Sequence, residues 1–463
     1  VTSRSNYGPT QPQPPIEPAA SRALREADPN QCIRVIIHLD DEIDRDQIFA
    51  ASTREEDGWT SAVSLLKASA KRSQAALRAD LEAARRAGQV KSFAPFWITN
   101  AIAVQAYPDV VLRLSELPSV SRVSLDHWRQ WVEQEVGSAE LDTTGGVLSG
   151  REPEGAAIAS TGVEWNIQHV RADEAWDGLR TSGATALVAS VDTGVDWLHP
   201  ALRTNYQGYN PHGPSEHRYS WFDATDSGAL YPVDGHGHGT HTTGTMVGQG
   251  GIGVAPDAEW IGIRVLNPQG FGYYSWIPAG FQWALAPGGD PGRAPDVVNC
   301  SWGNKNGWLT LFEDDVQALR GAGILPVFAA GNEGPNPSTV MSPASLPGVF
   351  AVGAVDEYDD VAAFSGRGPS PWGEIRPHVV APGVDIRSSA PGGTYELMDG
   401  TSMAAPHASG TAAILRSISP TLTITRITRA LTSTATSTGA QVPNNDSGWG
   451  RLDAFAAAAA VGK

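Results

Sequence analysis

The chain has 463 residues, more than one ordinary domain holds, so two or three are expected. With 41% apolar and 18% charged residues it fits a folded globular protein, and no run of about 18 apolar residues exists to span a membrane. The net charge of −17 argues against a nucleic-acid backbone as partner, and because residues 1–132 balance 16 basic against 16 acidic side chains the excess lies beyond them. Cys32 and Cys300 fall in different expected domains, which rules out a disulfide framework and predicts free thiols.

Residues 1–30 are rich in Pro, Gln and Ser and read as a flexible arm. Apolar alternation over Cys32–Leu39 predicts a strand. Val63, Leu66, Ala70, Leu77, Leu81 and Ala84 recur at helical spacing, so Thr60–Ala87 is expected to form one helix stopped by Gly88. Strands at Val90–Phe96 and Ile98–Ala106, a helix at Asp109–Leu117 and a strand at Val120–Leu125 follow. Together they give residues 31–132 a β-α-β-β-α-β order, the ferredoxin-like α+β pattern. Residues 133–162, rich in Gly, Ser, Glu and Ala, read as a linker. From 163 to 463, short apolar runs of the kind buried in parallel sheets alternate with helical stretches. The runs are Leu187–Val191, Trp260–Leu266, Val297–Cys300, Ile324–Ala329 and Val349–Val355. The helices are Tyr274–Ala284, Leu311–Ala322, Met403–Arg416 and an Ala-rich terminal one at Leu452–Val461. The expected class is α/β, a doubly wound, mostly parallel sheet that binds ligands beyond the carboxyl ends of its strands.

Acyl transfer needs a nucleophile, a base to take its proton and a carboxylate to orient that base. Three distant segments offer them. Gly400-Thr401-Ser402-Met403-Ala404-Ala405-Pro406 sets a serine at the start of a helix of small side chains. A serine there is also a common helix cap, but the same helix end supplies backbone donors and a favourable dipole for an oxyanion. Asp234-Gly235-His236-Gly237-His238-Gly239-Thr240-His241 is rich in histidine. A metal site of two or three imidazoles competes for these residues, without a helical His-Glu-x-x-His spacing or a compelling acidic ligand nearby. Asp192, closing an expected strand before Thr193-Gly194, could make an ordinary Asx turn; beside the other two segments it reads as the orienting carboxylate. The order Asp192, His238, Ser402 differs from that of chymotrypsin and of the α/β-hydrolases, and Gly-x-Ser-x-Ala is not the esterase elbow.

These residues resemble the subtilisin-like serine proteases, the subtilases. Val163-Glu164-Trp165-Asn166-Ile167, Asp192–Leu202, Ala294–Gly303 and Gly368–Gly410 resemble the bacillopeptidase F group within them. The resemblance covers about residues 163–455 and implies a subtilisin-like fold and a secreted endopeptidase using Ser402, His238 and Asp192. His241 becomes a packed helix residue and His236 a loop residue near the cleft. Asn332 would donate its side-chain amide to the oxyanion beside the Ser402 N–H. Gly270-Phe271-Gly272 and Ser301-Trp302-Gly303 resemble the walls that pair with an extended peptide. Trp302 and Met341 would narrow the primary pocket toward medium apolar side chains.

The resemblance also makes residues 31–132 a prodomain, both folding chaperone and inhibitor, with its tail through Trp131-Val132 lying in the cleft and a self-cut near Val132–Glu133. No cofactor is implied. Many subtilisins bind calcium through an aspartate after a His-Pro pair and a long loop after the histidine helix. Here the aspartate position is Ala201 and the loop Gln249–Ile252 is short, so that strong site is expected to be absent, while a weak one elsewhere stays open. The acidic run Asp356–Asp360 reads as a solvated turn. Expected partners are protein and peptide substrates and the chain's own prodomain, with neither nucleic acid nor a membrane span. No basic-then-apolar leader precedes Val1, so a signal segment is expected to be missing from this sequence. Two rival readings remain at this point: a catalytically silent scaffold that binds peptides, and an inhibitory role centred on residues 31–132.

Overall fold

The structure, a computed structural model, describes residues 16–40, 44, 48, 58–132, 162–439 and 441–462. Half of the expected arm, residues 1–15, and nearly all of the expected linker lie outside the described residues. Contacts divide the chain into two bodies. The first comprises residues up to Arg45 with Val63–Trp128 and Tyr273–Pro278; the second comprises the rest, including Arg129–Gly272 and Ala279–Lys463.

In the first body β1 (Ile33–Leu39), β2 (Val90–Phe96), β3 (Ala101–Ala106) and β4 (Val120–Leu125) form one sheet in the order β2-β3-β1-β4. Every neighbouring pair is antiparallel, the ferredoxin-like arrangement. Val35, Ile37, Val104 and Val123 point to one face, where Leu77, Leu81, Val111 and Leu114 cover them. Three details differ from the sequence reading. The single helix expected over Thr60–Ala87 is two, Gly58–Ser73 and Ala75–Arg86, parted at Gln74. There the Gln74 amide donates to Phe96 O (2.9 Å) and Asn100 Oδ1 (3.2 Å). Next, β3 starts at Ala101 and not at Ile98, because Asn100 turns the chain with φ 45° and donates its amide to Asp40 O. The expected arm holds a helix, Pro18–Glu26, with Pro at its start and Ala20 and Leu24 buried. Glu17 N–H donates to Val123 O (2.9 Å), which ties this segment to the β4 edge.

The strands that follow are β5 (Trp128–Gln130), β6 (Leu187–Asp192), β7 (Trp221–Asp223), β8 (Glu259–Arg264), β9 (Phe271–Tyr273) and β10 (Val297–Cys300). After them come β11 (Leu325–Ala329), β12 (Phe350–Val355), β13 (Val379–Pro382), β14 (Ile386–Ala390) and β15 (Thr394–Met398). Seven of these form the parallel sheet of the second body, in the order β13-β12-β11-β10-β6-β8-β7. From β6 the chain crosses to the edge strand β7, comes back to β8 beside β6, then passes to β10 on the other side of β6 and builds outward through β11, β12 and β13. The switch of direction between β6 and β10 opens a crevice at their carboxyl ends.

The helix Thr401–Ile418 is buried over most of its length, and Ala404, Ala405, Ala408, Ala412 and Ala413 belong to the main core. Their small size lets its backbone lie close to β10, β11 and β12 without leaving voids. The terminal helix Ala454–Val461 adds Ala457 and Ala458 to that core. The antiparallel β14–β15 pair was not legible as strand because β14 carries two serines. Both face inward, Ser388 Oγ donating to His241 O and Ser389 Oγ to Thr240 O. Cys32 and Cys300 are free thiols.

Candidate active site

Ser402 is the second residue of the Thr401–Ile418 helix. Four residues later Pro406 has no N–H to give back to the Ser402 carbonyl, so that acceptor needs another partner. Ser301 Oγ supplies it at 2.8 Å, and Ser402 Oγ in turn donates to Ser301 O at 2.9 Å. Ser301 follows β10 directly, so this reciprocal pair fixes the helix start against the sheet edge. The serine hydroxyl is thus held by Ser301 and not by the expected base, a looser arrangement than a substrate complex requires.

Asp192 is the last residue of β6, and His238 is the first of the helix His238–Val247. The structure brings them together: His238 Nδ1 lies 2.7 Å from Asp192 Oδ1, with both side chains 1% exposed. The same Asp192 oxygen accepts the Thr193 N–H at 2.7 Å, which limits its rotation. Gly239 sits so near Gly194 O that a Cβ there would collide with it. His241 is elsewhere: its Nε2 faces Ile386 O (3.0 Å) and Glu396 O (3.2 Å), and burial pushes its pKa down to about 3. His236 packs edge-on to His238, and burial lowers its pKa too. The three imidazoles do not converge, and among the described residues no group of three or more His, Cys, Asp or Glu side chains is placed to hold a metal.

Asn332 follows β11. Its Oδ1 accepts from Thr401 N–H (3.0 Å) and Thr401 Oγ (2.9 Å), so its amide N–H groups are left for a ligand. Asn332 and Ser402 line one cleft of about 250 Å³ with Trp302, Gly303, Gly331, Glu333, Met341 and Thr401. Met341 fills space on one wall: a Cβ at Gly331, whose φ is 102°, would meet its side chain. Trp302 is a wall more than a gate, since its indole N–H is held by Val191 O at 2.7 Å.

The expected peptide-binding edges are already engaged, by the chain itself. Gly270 O accepts from Trp131 N–H (2.9 Å) and Val132 N–H (3.3 Å), Gly272 O accepts from the Trp131 indole (3.1 Å), and Gly303 N–H donates to Trp131 O (3.3 Å). The Trp131 ring packs on Trp302 and Phe312. Beside them, Asn267 N–H donates to Phe271 O at 2.7 Å and Phe271 N–H to Asn267 Oδ1 at 2.9 Å. The sequence reading passed over Thr401, which orients Asn332, and gave no role to Thr193 or Asp234, which link the segments of Asp192 and His238. Their only signal was adjacency to the motif residues.

Comparisons with known proteins bear on the same region. Residues 183–450 match the Subtilase family model. The chain is 39% identical over 434 residues to bacillopeptidase F of Bacillus subtilis (strain 168), a match covering 89% of this chain and 29% of that protein. It is 39% identical to subtilisin E of the same organism over 56% of this chain and 62% of that protein. It is 37% identical to subtilisin DY of Bacillus licheniformis over 60% of this chain and 93% of that protein. The chain thus spans under a third of bacillopeptidase F and about three-fifths of subtilisin E. With its family match covering more than half of its length, the chain belongs to the Subtilase family.

Proposed function

We propose that this chain is a serine peptidase, a secreted endopeptidase made as a self-processing zymogen. Ser402 attacks the scissile carbonyl, His238 takes its proton and later returns it to the leaving amine, and Asp192 holds the imidazole in the tautomer this requires. The Asn332 amide and the Ser402 N–H stabilise the oxyanion, a contribution worth about a hundredfold or more in turnover for one such donor. The zymogen part rests on one observation above all: Arg129–Val132 runs between Gly270 and Gly303 beside Ser402, where a substrate strand would lie. Secretion is inferred from the subtilisin kinship and the scarcity of cysteine; no helix among the described residues is long and apolar enough to cross a membrane.

The tail's register is set where Gly303 N–H donates to Trp131 O, and with Val132 lining the cleft beside Ser402 the proposed self-cut lies near Val132–Glu133, within a few residues. The primary pocket, narrowed by Met341, suits side chains of medium size or smaller.

Incubating purified precursor tests the whole reading. The parent should release a fragment of about 130 residues, while Ser402→Ala should stay intact and lose turnover by several orders of magnitude. Processing of that variant at the parent's rate, with no other protease present, would falsify self-cleavage by Ser402. Mass spectrometry of the released fragment locates the cut.

A further inference from the structure

Asp192 and His238 come from segments separated by 45 intervening residues, and their 2.7 Å contact needs those segments held in register. One carboxylate outside the triad bonds to both. Asp234 Oδ1 accepts Thr193 Oγ (3.0 Å), His236 N–H (3.0 Å) and Gly237 N–H (2.9 Å). Its Oδ2 accepts Thr240 N–H (2.9 Å) and Thr240 Oγ (2.7 Å). Thr193 Oγ, while donating to Asp234, accepts the Gly239 N–H at 3.0 Å. Asp234 therefore grips the residue after Asp192 and the two residues before His238. It also caps the first turn of the His238 helix, where a negative charge is favoured.

We propose that Asp234 is a positioning residue of the triad, acting through Thr193 and the start of the His238 helix to fix the base against its orienting carboxylate. This rests on the triad roles proposed above. The geometry separates it from a general structural acid: all five of its hydrogen bonds end on residues next to, or two from, Asp192 or His238. Its negative charge sits at the start of the His238 helix, bonded to the two residues before His238 and to Thr240 two after it; His236 and His241 are titratable groups interacting with the same ring. Removing an anion from beside an imidazole lowers the imidazole's pKa.

Asp234→Asn keeps the size and the Thr193 contact but sets an amide against the Thr240 N–H. It should lower kcat by about a hundredfold, the scale for misplaced catalytic groups, with KM changed less than about threefold. The acid limb of kcat/KM should move to lower pH. Because this variant could fail to fold, Thr193→Val provides a smaller lesion: it breaks only the Asp234–Thr193–Gly239 chain and should lower kcat about tenfold, while Thr193→Ser restores it. Parent-like kcat in both lesions at full folding, or a loss in Thr193→Ser as large as in Thr193→Val, overturns the proposal. Active-site titration of Ser402 in the same samples distinguishes this failure from failure of the triad: if Ser402 is not labelled even in the parent, the underlying reading is what falls.

Discussion

The two bodies of this protein use sheet in opposite ways. In the first, an antiparallel sheet, the edge strands β2 and β4 keep several exposed positions, Lys91, Ser92 and Ala94 in one and Ser121 and Arg122 in the other. In the second, β10, β11, β12 and β13 are buried at every position. The first body keeps its fold largely through pattern, so apolar residues of the right size could stand at most of its inward positions, while its buried Gln74 and Asn100 each hold specific partners. The second closes over polar groups as well, including His241, His378, His407, Asn299 and Ser409, each of which then needs a specific partner. Both bodies therefore hold buried polar residues whose identity matters, and the second holds more of them.

That difference predicts unequal sensitivity to acid. Burial pushes His241 and His378 down to about 3 and His407 to about 4, all three being almost wholly enclosed. In the unfolded chain a histidine titrates near 6.5. Below that pH the unfolded state binds protons the folded state refuses, so stability is full above about 6.5 and is lost as pH falls toward 3–4. One unit below 6.5, the three groups together cost roughly 4 kcal/mol. The first body offers one such group, His38, lowered by burial and by Arg122 but partly exposed. Hydrogen exchange in the Ser402→Ala background, at pH 7 and at pH 5.5, should show the second body losing protection first. Equal loss in both bodies, or none in either, breaks the comparison.

A lesion in the first body sharpens it from the other side. Leu81 is fully buried in a core shared only by that body's own elements. Leu81→Ala should destabilise it by about 3 kcal/mol, within the usual range for emptying such a site. Exchange in Ile33–Leu39 and Ala101–Ala106 should rise, while Val297–Cys300 and Leu325–Ala329 keep their protection. A matching rise in those two strands would mean that the bodies unfold as one unit.

Legibility in the sequence followed the same division. The ferredoxin-like order could be read because alternation and helical spacing are strong over β1, β3 and the helices that cover them. Its errors fell where a single side chain overrides the pattern, as Gln74 does in parting one helix into two and Asn100 in delaying β3. The Pro18–Glu26 helix was hidden by a composition resembling the Pro-rich residues before it. In the second body the motif residues Asp192, His238, Asn332 and Ser402 stood out through their neighbours. What the motifs could not give was the scaffolding among them: Asp234 on Thr193 and Thr240, Thr401 on Asn332, Ser301 on Ser402. Those links are long-range hydrogen bonds with no periodicity, invisible until the chain is folded. The β14–β15 pair was hidden for a related reason, since its inward serines look like loop residues until His241 and Thr240 appear as their acceptors.

The smallest expected effect concerns calcium near Ala201. Cations of this kind want six to eight oxygen ligands, carboxylates among them. Ala201 is buried with no carboxylate to offer, and its carbonyl already accepts the Gln249 N–H at 2.8 Å. Nearby carbonyls are also taken: the Asn205 amide donates to Val247 O (2.8 Å), Pro256 O (3.0 Å) and Ala258 O (3.2 Å), and the Gln249 amide donates to Pro256 O as well. Two side-chain amides thus bond the carbonyls of a loop that a cation would otherwise organise, and they need no counter-charge. Chelation should therefore change stability through this locus by less than about 0.5 kcal/mol, the scatter of surface effects. Asn205→Ala should cost more, about 1–3 kcal/mol, because it strips the donor from several buried carbonyls at once. The Tm of the Ser402→Ala protein, measured with excess calcium and with chelator, tests the first statement. A calcium-dependent rise of several degrees that disappears in a variant altered only within Gln249–Ile252 would show that the amides are not the substitute for a cation that they are argued to be here.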